Sequence, residues 1–362
     1  MFEFLPYRLP LSIPYHWAKG VHHHRAGLIV RCDLDGAVGW GEAAPAPHRT
    51  VDRSGYPAEG RALVTGLDPR APDFLQRLDG RAPPGRLRCG ISTAWLSARA
   101  AQAGRTLAAQ LAGAGEQPAR RVPVNALVGD ENPAKAAETA ARLVAAGFRT
   151  LKVKCFADGA RDLARIRAIR EIAPGIRLRL DANEGWPKDW SLALLEAMAR
   201  FDIEYVEQPL PRHASIADFV ELKRASPIPV AIDESARDLA SIRPFLDAGA
   251  VDILILKPPR VGGPDAVLAI AREAARYGVS STVTASLETS VGLYAALHAA
   301  ALLPRPIPDC GLGTAHFLAE DVAPPPPLVN GYMDLPGEPG LGPAGVEVRW
   351  AEDDPPSACS AV

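Results

Sequence analysis

The alternation of apolar and polar positions changes rhythm near Val122. From there, short apolar runs rich in β-branched residues recur, each followed by a stretch of helix-forming residues. The runs lie at 122–128 (VPVNALV), 150–154 (TLKVK), 176–181 (IRLRLD), 203–208 (IEYVEQ), 228–234 (IPVAIDE), 251–257 (VDILILK), 280–286 (SSTVTAS) and, more weakly, 310–314 (CGLGT). Segments such as 133–146, 160–172 and 264–277 have helical composition. Eight strands alternating with seven helices predict a parallel sheet, and at this length a closed α/β barrel of the (β/α)7β, TIM-like type. An open dinucleotide-binding sheet would need G-x-G-x-x-G after its first strand, and none is there.

Upstream the pattern is of another kind. Residues 27–45 (GLIVRCDLDGAVGWGEAAP) predict a hairpin turning at Asp35-Gly36, and the Ala-rich stretch 91–112 predicts a helix. After about Leu318 the repeat stops. The tail carries a proline run at 324–327 and a last short strand at 345–350 (GVEVRW). It is too short to fold alone and is expected to pack back on the N-terminal part. The organisation this predicts is an α+β unit over 1–119, the barrel with the active site over 120–317, and a C-terminal segment over 318–362, and the family resemblance given below implies that the first unit caps the barrel.

Composition narrows the partners. In 362 residues, 40 Lys and Arg stand against 42 Asp and Glu, so no basic footprint invites nucleic acid. No apolar run reaches the roughly 18 residues of a membrane span. Glu3 and Arg8 interrupt the N-terminal apolar stretch, and no small-residue cleavage site follows, so a signal peptide is not expected. Five scattered cysteines, never spaced C-x-x-C, argue against a disulfide framework or a zinc site and make a reducing cytoplasm the expected compartment. A small-molecule substrate is the expected partner, and a homo-oligomer is compatible with the sequence. Only seven of the basic residues are lysine, which makes the place of each lysine informative.

In parallel α/β barrels the chemistry sits at the C-terminal ends of the strands. The second run ends in Lys152 and Lys154, the third in Asp181, the fourth in Glu207, the fifth in Asp233 and Glu234, and the sixth in Lys257. Asp181 to Glu207 is 26 residues and Glu207 to Asp233 is 26 again, one βα unit each, so three carboxylates should converge. Converging carboxylates repel one another and lose hydration, and a hard divalent cation relieves that cost, Mg2+ first and Mn2+ second. The flanking lysines would face each other across the mouth and serve as acid and base. This set suits removal of a proton alpha to a carboxylate, with the metal holding the resulting enediolate. Gly262-Gly263 reads as a loop turn, His22–His24 as a solvated loop, and Cys155 as pointing away from the mouth.

The motifs K-x-K (Lys152, Lys154), RLDAN (Arg179 to Asn183), VEQP, IDES and LKP, in this order and spacing, resemble the enolase superfamily, and within it the muconate lactonizing enzyme subgroup. The resemblance implies an enolase-like barrel with a capping domain. By motif it implies Asp181, Glu207 and Asp233 as Mg2+ ligands, and Lys154 as acid/base with Lys257 opposite. Lys152 would support the substrate carboxylate or tune Lys154, and Asn183 and Glu234 would stand behind the ligands. The pattern Ser286, Glu288, Thr289, Gly292 resembles o-succinylbenzoate synthases, in which the segment around this Ser would hold a succinyl carboxylate; Arg179 also occurs there. The implied reaction is Mg2+-dependent syn-dehydration of 2-succinyl-6-hydroxy-2,4-cyclohexadiene-1-carboxylate in menaquinone biosynthesis, a lyase activity. The alternative is N-succinylamino acid racemase, alone or as a second activity. Segments 13–27 and 42–50 are expected to close over the substrate from the cap.

Overall fold

The computed structural model describes residues 1–17, 20–47, 49, 51–156, 158–342 and 345–350. Three antiparallel strands open the chain: β1 (Phe2–Trp17), β2 (Gly20–Leu34) and β3 (Ala37–Ala43). Leu34 pairs with Ala37 around the expected turn, where Asp35 and Gly36 both take positive φ, as a tight hairpin of this kind requires. Helices α1 (Gly55–Val64), α2 (Phe74–Asp79), α3 (Gly85–Gln102) and α4 (Leu107–Leu111) complete this unit. The single helix expected over 91–112 is therefore two, interrupted around Gly104, whose φ is positive. The glycines of the GWG stretch let α3 lie directly on β3. A Cβ at Gly39 would stand 2.1 Å from the carbonyl oxygen of Ala94, and one at Gly41 2.1 Å from that of Gly90. The unit has its own core, including Tyr7, Leu28, Val30, Phe74 and Ile91.

The barrel follows. Its strands are β5 (Ala126–Val128), β6 (Thr150–Lys154), β7 (Arg177–Asp181), β8 (Ile203–Glu207), β9 (Val230–Ile232), β10 (Ile253–Leu256) and β11 (Ser280–Val283), hydrogen-bonded in that order as one parallel sheet. Between them run α5 (Pro133–Ala145), α6 (Gly159–Ile172), α7 (Lys188–Met198), α8 (Ile216–Ala225), α9 (Leu239–Asp247), and the pair α10 (Pro258–Val261) and α11 (Pro264–Arg276); α12 (Ser290–Ala300) follows β11. Local signals start several of these helices: Asn132 caps α5 ahead of Pro133, and Ser215 with Asp218 forms a capping box on α8.

Two of the expected strands differ in form. The run 122–128 divides into β4 (Arg121–Pro123) and β5, because β4 pairs antiparallel with β13 (Tyr332–Asp334) of the tail, which also pairs with β12 (Leu328–Val329). The weak eighth run forms no strand. Cys310 and Gly311 instead bridge Val124 on one side and Thr284 on the other, with backbone bonds of 2.8–3.0 Å, and so close the ring between β11 and β5. The tail divides its contacts. Leu328–Asp334 joins β4 at the barrel, while Val346 and Val348 pack on the core of the N-terminal unit and Arg8 bridges to Trp350.

Segment 13–27, expected to close over the substrate, has residues 18 and 19 outside the described part of the chain. Its described part is the far end of the β1–β2 hairpin, so His22–His24 lie in a strand and not in a solvated loop, and Arg8 Nη2 stands 3.1 Å from Nδ1 of His24. Gly262 and Gly263 form a turn of positive φ whose Gly262 carbonyl accepts from Arg88 of α3 at 2.7 Å, joining the two units. Cys32, Cys89, Cys155 and Cys310 are buried free thiols. Among the described residues no helix is long and apolar enough to cross a membrane.

Candidate active site

A cavity of about 820 Å3 opens at the C-terminal ends of the barrel strands. Because side chains alternate along a strand, Lys152 and Lys154 of β6 both face inward, one layer apart. Lys152 is the deeper: its Nζ lies 2.8 Å from Oδ2 of Asp181 and 2.7 Å from Oε1 of Glu207. Lys154 is a third exposed and donates to Asp181 at 2.7 Å and to Oδ1 of Asn183 at 2.6 Å. On the other side Lys257, just past β10, donates to Oδ2 of Asp233 at 2.5 Å, and Arg260 takes Oδ1 of the same carboxylate at 2.5 Å. β6 and β10 stand four places apart in the ring, so the two lysines approach the cavity from opposite walls.

Asp181, Glu207 and Asp233 are all buried to within 1%. Burial raises the cost of their charge, and the neighbouring cations decide what remains. Asp181 is driven below the usual carboxylate range by Lys152 and Lys154 despite its burial. Asp233 is likewise lowered against burial by Lys257 and Arg260. Glu207 goes the other way: burial, then the charge of Asp181, push it up to about 7. The site is thus short of positive charge at Glu207, where Oε2 is buried without a hydrogen-bond partner, as is Oε2 of Glu234. Three carboxylates on adjacent strand ends, one with an unanswered oxygen, fit a hard divalent cation. Among the described residues no three acidic, imidazole or thiol groups form a ready cluster, because lysine ammonium groups stand between the carboxylates.

Asn183 and Glu234 line the cavity and are bonded to each other at 3.3 Å. Asn183 has φ near 44°, a value that asparagine tolerates and most residues do not. Ser286 lines the cavity too, and its N–H is given to Glu288 Oε2 at 2.5 Å. Glu288 lies buried behind it. Arg179 does not line the cavity. It is sealed in the barrel core, where it pairs with Glu204 at 2.6 Å, reaches the carbonyl of Asp309, and lies over the ring of Tyr205. Its role is to hold the barrel interior one layer below Asp181. Residues 44–47 and Arg49 reach the cavity from the cap. None of the described side chains of 13–27 does.

The family described as enolase C-terminal domain-like matches residues 135–350. The chain belongs to the enolase superfamily. Within the superfamily it is 40% identical over 220 residues to the o-succinylbenzoate synthase of Thermobifida fusca, a match covering 59% of this chain and 66% of that protein. The chain thus spans just under two thirds of that relative. It is 35% identical over 287 residues to the o-succinylbenzoate synthase of Mycobacterium ulcerans, covering 72% of this chain and 85% of the relative. A solved dipeptide epimerase from Enterococcus faecalis, complexed with Mg and the dipeptide L-Leu-L-Tyr, matches with a TM-score of 0.85 at 25% identity over 95% of this chain and 98% of that one. This enolase-superfamily protein has the barrel-and-cap architecture that its strand pattern predicts.

Sequence reasoning did not single out two groups, although Glu42 and Arg49 lie in the segment 42–50 that it expected to close over the substrate. The rim arginines Arg49 and Arg237 carry no periodic signal, since they sit in loops. The buried carboxylate of Glu42 ends a strand of the cap, and only its place in the GEA stretch could have drawn attention to it.

Proposed function

We propose that the protein is an o-succinylbenzoate synthase, acting in menaquinone biosynthesis, that removes water from 2-succinyl-6-hydroxy-2,4-cyclohexadiene-1-carboxylate. The carrying observation is the charge of the cavity. Eight cationic side chains line it against two acidic ones. Lys152, Lys154, Lys257 and Arg260 are answered by the buried carboxylates, Arg212 by Glu184 at 2.5 Å and Arg86 by Glu59 at 3.9 Å. Among the described residues, Arg49 and Arg237 have no acidic partner. A substrate with two carboxylates fits this surplus, one at the lysines and one at the rim. The o-succinylbenzoate synthase relatives support the same reading.

Asp181, Glu207 and Asp233 would hold Mg2+. When bound, Mg2+ would neutralise negative charge that develops on the ring carboxylate of the substrate. Lys154, as the free amine, would take the proton alpha to that carboxylate. As the ammonium it would return a proton to the departing hydroxide on the same face, so that water leaves and the ring becomes aromatic. Lys257, a cation on the opposite face, would stabilise the developing charge. Asn183 holds Lys154 aimed at the cavity.

The same two opposed lysines would suit racemisation of an N-succinyl amino acid, one removing a proton and the other returning it. The deciding experiment is a pair of assays with Mg2+, one following dehydration by absorbance and the other racemisation by polarimetry. Fast dehydration is expected; racemisation without dehydration would overturn the assignment. A third measurement bears on the second carboxylate. Arg237→Met should raise KM about 10-fold or more, the worth of a charge-assisted hydrogen bond, with kcat little changed. An unchanged KM would take Arg237 out of substrate recognition.

A further inference from the structure

Glu42, the penultimate residue of β3, is buried at the junction of cap and barrel. All its partners are donors. Tyr7 of β1 donates its hydroxyl to Oε1 at 2.5 Å. Oε2 accepts from the N–H of Thr289 at 3.0 Å, the hydroxyl of Thr289 at 2.6 Å, and the N–H of Gly292 at 3.0 Å. Thr289 is the N-cap of α12, yet its side chain caps nothing in its own helix; it is spent on Glu42, and Glu42 answers the helix N–H groups in its place. There is no slack in the joint. A Cβ on Gly292 would stand 2.7 Å from Oε2 of Glu42 and 2.6 Å from Cβ of Glu288.

The segment just before Thr289 is a wall of the cavity. Ser286 and Leu287 line it, and Leu287 sits at φ 64°, a conformation that a branched side chain does not choose unaided. From the cap, Arg25 of β2 donates to the Leu287 carbonyl at 2.8 Å. The cap therefore grips this wall at both ends, through Arg25 at Leu287 and through Glu42 at Thr289. We propose that Glu42 is a positioning residue, which from the cap sets the place of the Ser286–Leu287 wall against the substrate.

The groups that face Glu42 are Tyr7 on β1, Arg25 on β2, Glu288 in the gripped segment and Cys89 on α3, and Lys257 faces Glu288. Burial, with the charge of Glu288, raises Glu42 to about 7, while Arg25 and the Thr289 and Tyr7 hydroxyls pull the other way. A proton on Glu42 sets a donor against a ring of donors and loosens the grip. Loss of the grip should therefore grow as pH falls through about 7.

Glu42→Gln removes both the charge and its titration. The expected result is a fall of about 10- to 100-fold in kcat/KM, carried mainly by KM, because misplacing a wall by about 1 Å costs on that order. Wild type should lose kcat/KM on the acid side of pH 7, and the Gln variant should lose a smaller fraction of its own activity there. Tyr7→Phe, which keeps the carboxylate and removes one donor, should move the limb to higher pH. Independently of turnover, amide exchange over residues 286–292 should be faster in Glu42→Gln than in wild type at one pH. The proposal rests on the dehydratase reading only for its assay. An inactive wild type would count against that reading, while the exchange comparison would still test the grip. Unchanged exchange overturns the proposal. So does a variant that loses activity but keeps the wild-type acid limb, since that would mark a purely structural role.

Discussion

Lys154→Ala will abolish dehydration and leave the barrel folded. Lys154 is the one lysine of the mouth that is both well exposed to the cavity and hydrogen-bonded to a neutral aiming group, Asn183. General acid–base catalysis by one side chain is worth about 10^2- to 10^4-fold, and here one amine would serve both the removal and the return of the proton, so the loss should lie at or beyond the upper end. Stability should change little. Asp181 keeps Lys152 at 2.8 Å after the substitution, so no buried charge is left unpaired. Circular dichroism melting checks the fold, and absorbance at saturating Mg2+ checks turnover. Wild-type turnover in this variant would end the mechanism proposed above.

Asp233→Asn will weaken metal dependence and activity together and will also cost stability. Both oxygens of Asp233 are engaged, one by Lys257 and one by Arg260, and the residue is fully buried. Removing one member of a buried ion pair costs about 3–5 kcal/mol. The lower end applies here, because Lys257 and Arg260 are 15% and 27% exposed and recover some hydration. If Asp233 also ligates Mg2+, apparent affinity should fall by at least about 10- to 100-fold, the loss seen when a group that only supports a ligand is changed. A Mg2+ titration of activity, set beside a Mg2+-dependent thermal shift, separates the two effects. Wild-type Mg2+ affinity would remove Asp233 from the ligand set even if the melting temperature fell.

How much of this was legible in the sequence differs from residue to residue. The carboxylates at 26-residue spacing were visible because a βα unit has a nearly constant length and a strand end is a local event. The pair Lys152 and Lys154 was visible because strand side chains alternate, so residues two apart share a face. Arg179 shares a face with Asp181, and the family resemblance placed it near the site. Periodicity gives the face but not the depth, and depth put Arg179 in the core, sealed by Glu204 and Asp309. His22–His24 read as a loop because nothing local announces that a polar stretch will be paired by a neighbouring strand.

By itself the sequence determined the order of elements, the parallel barrel and which strand ends carry charge, since all of these follow from short-range spacing and from turn and capping residues. Tertiary structure decided the rest. It closed the ring with a bridge at Cys310 and Gly311 in place of an eighth strand, and it gave half of the first run to a tail strand more than 200 residues later. It gathered Arg49 and Arg237 at one rim, and it brought Glu42 to Thr289 across 247 residues. Contacts of that span depend on how whole layers pack, and the local pattern of apolar and polar residues does not record it.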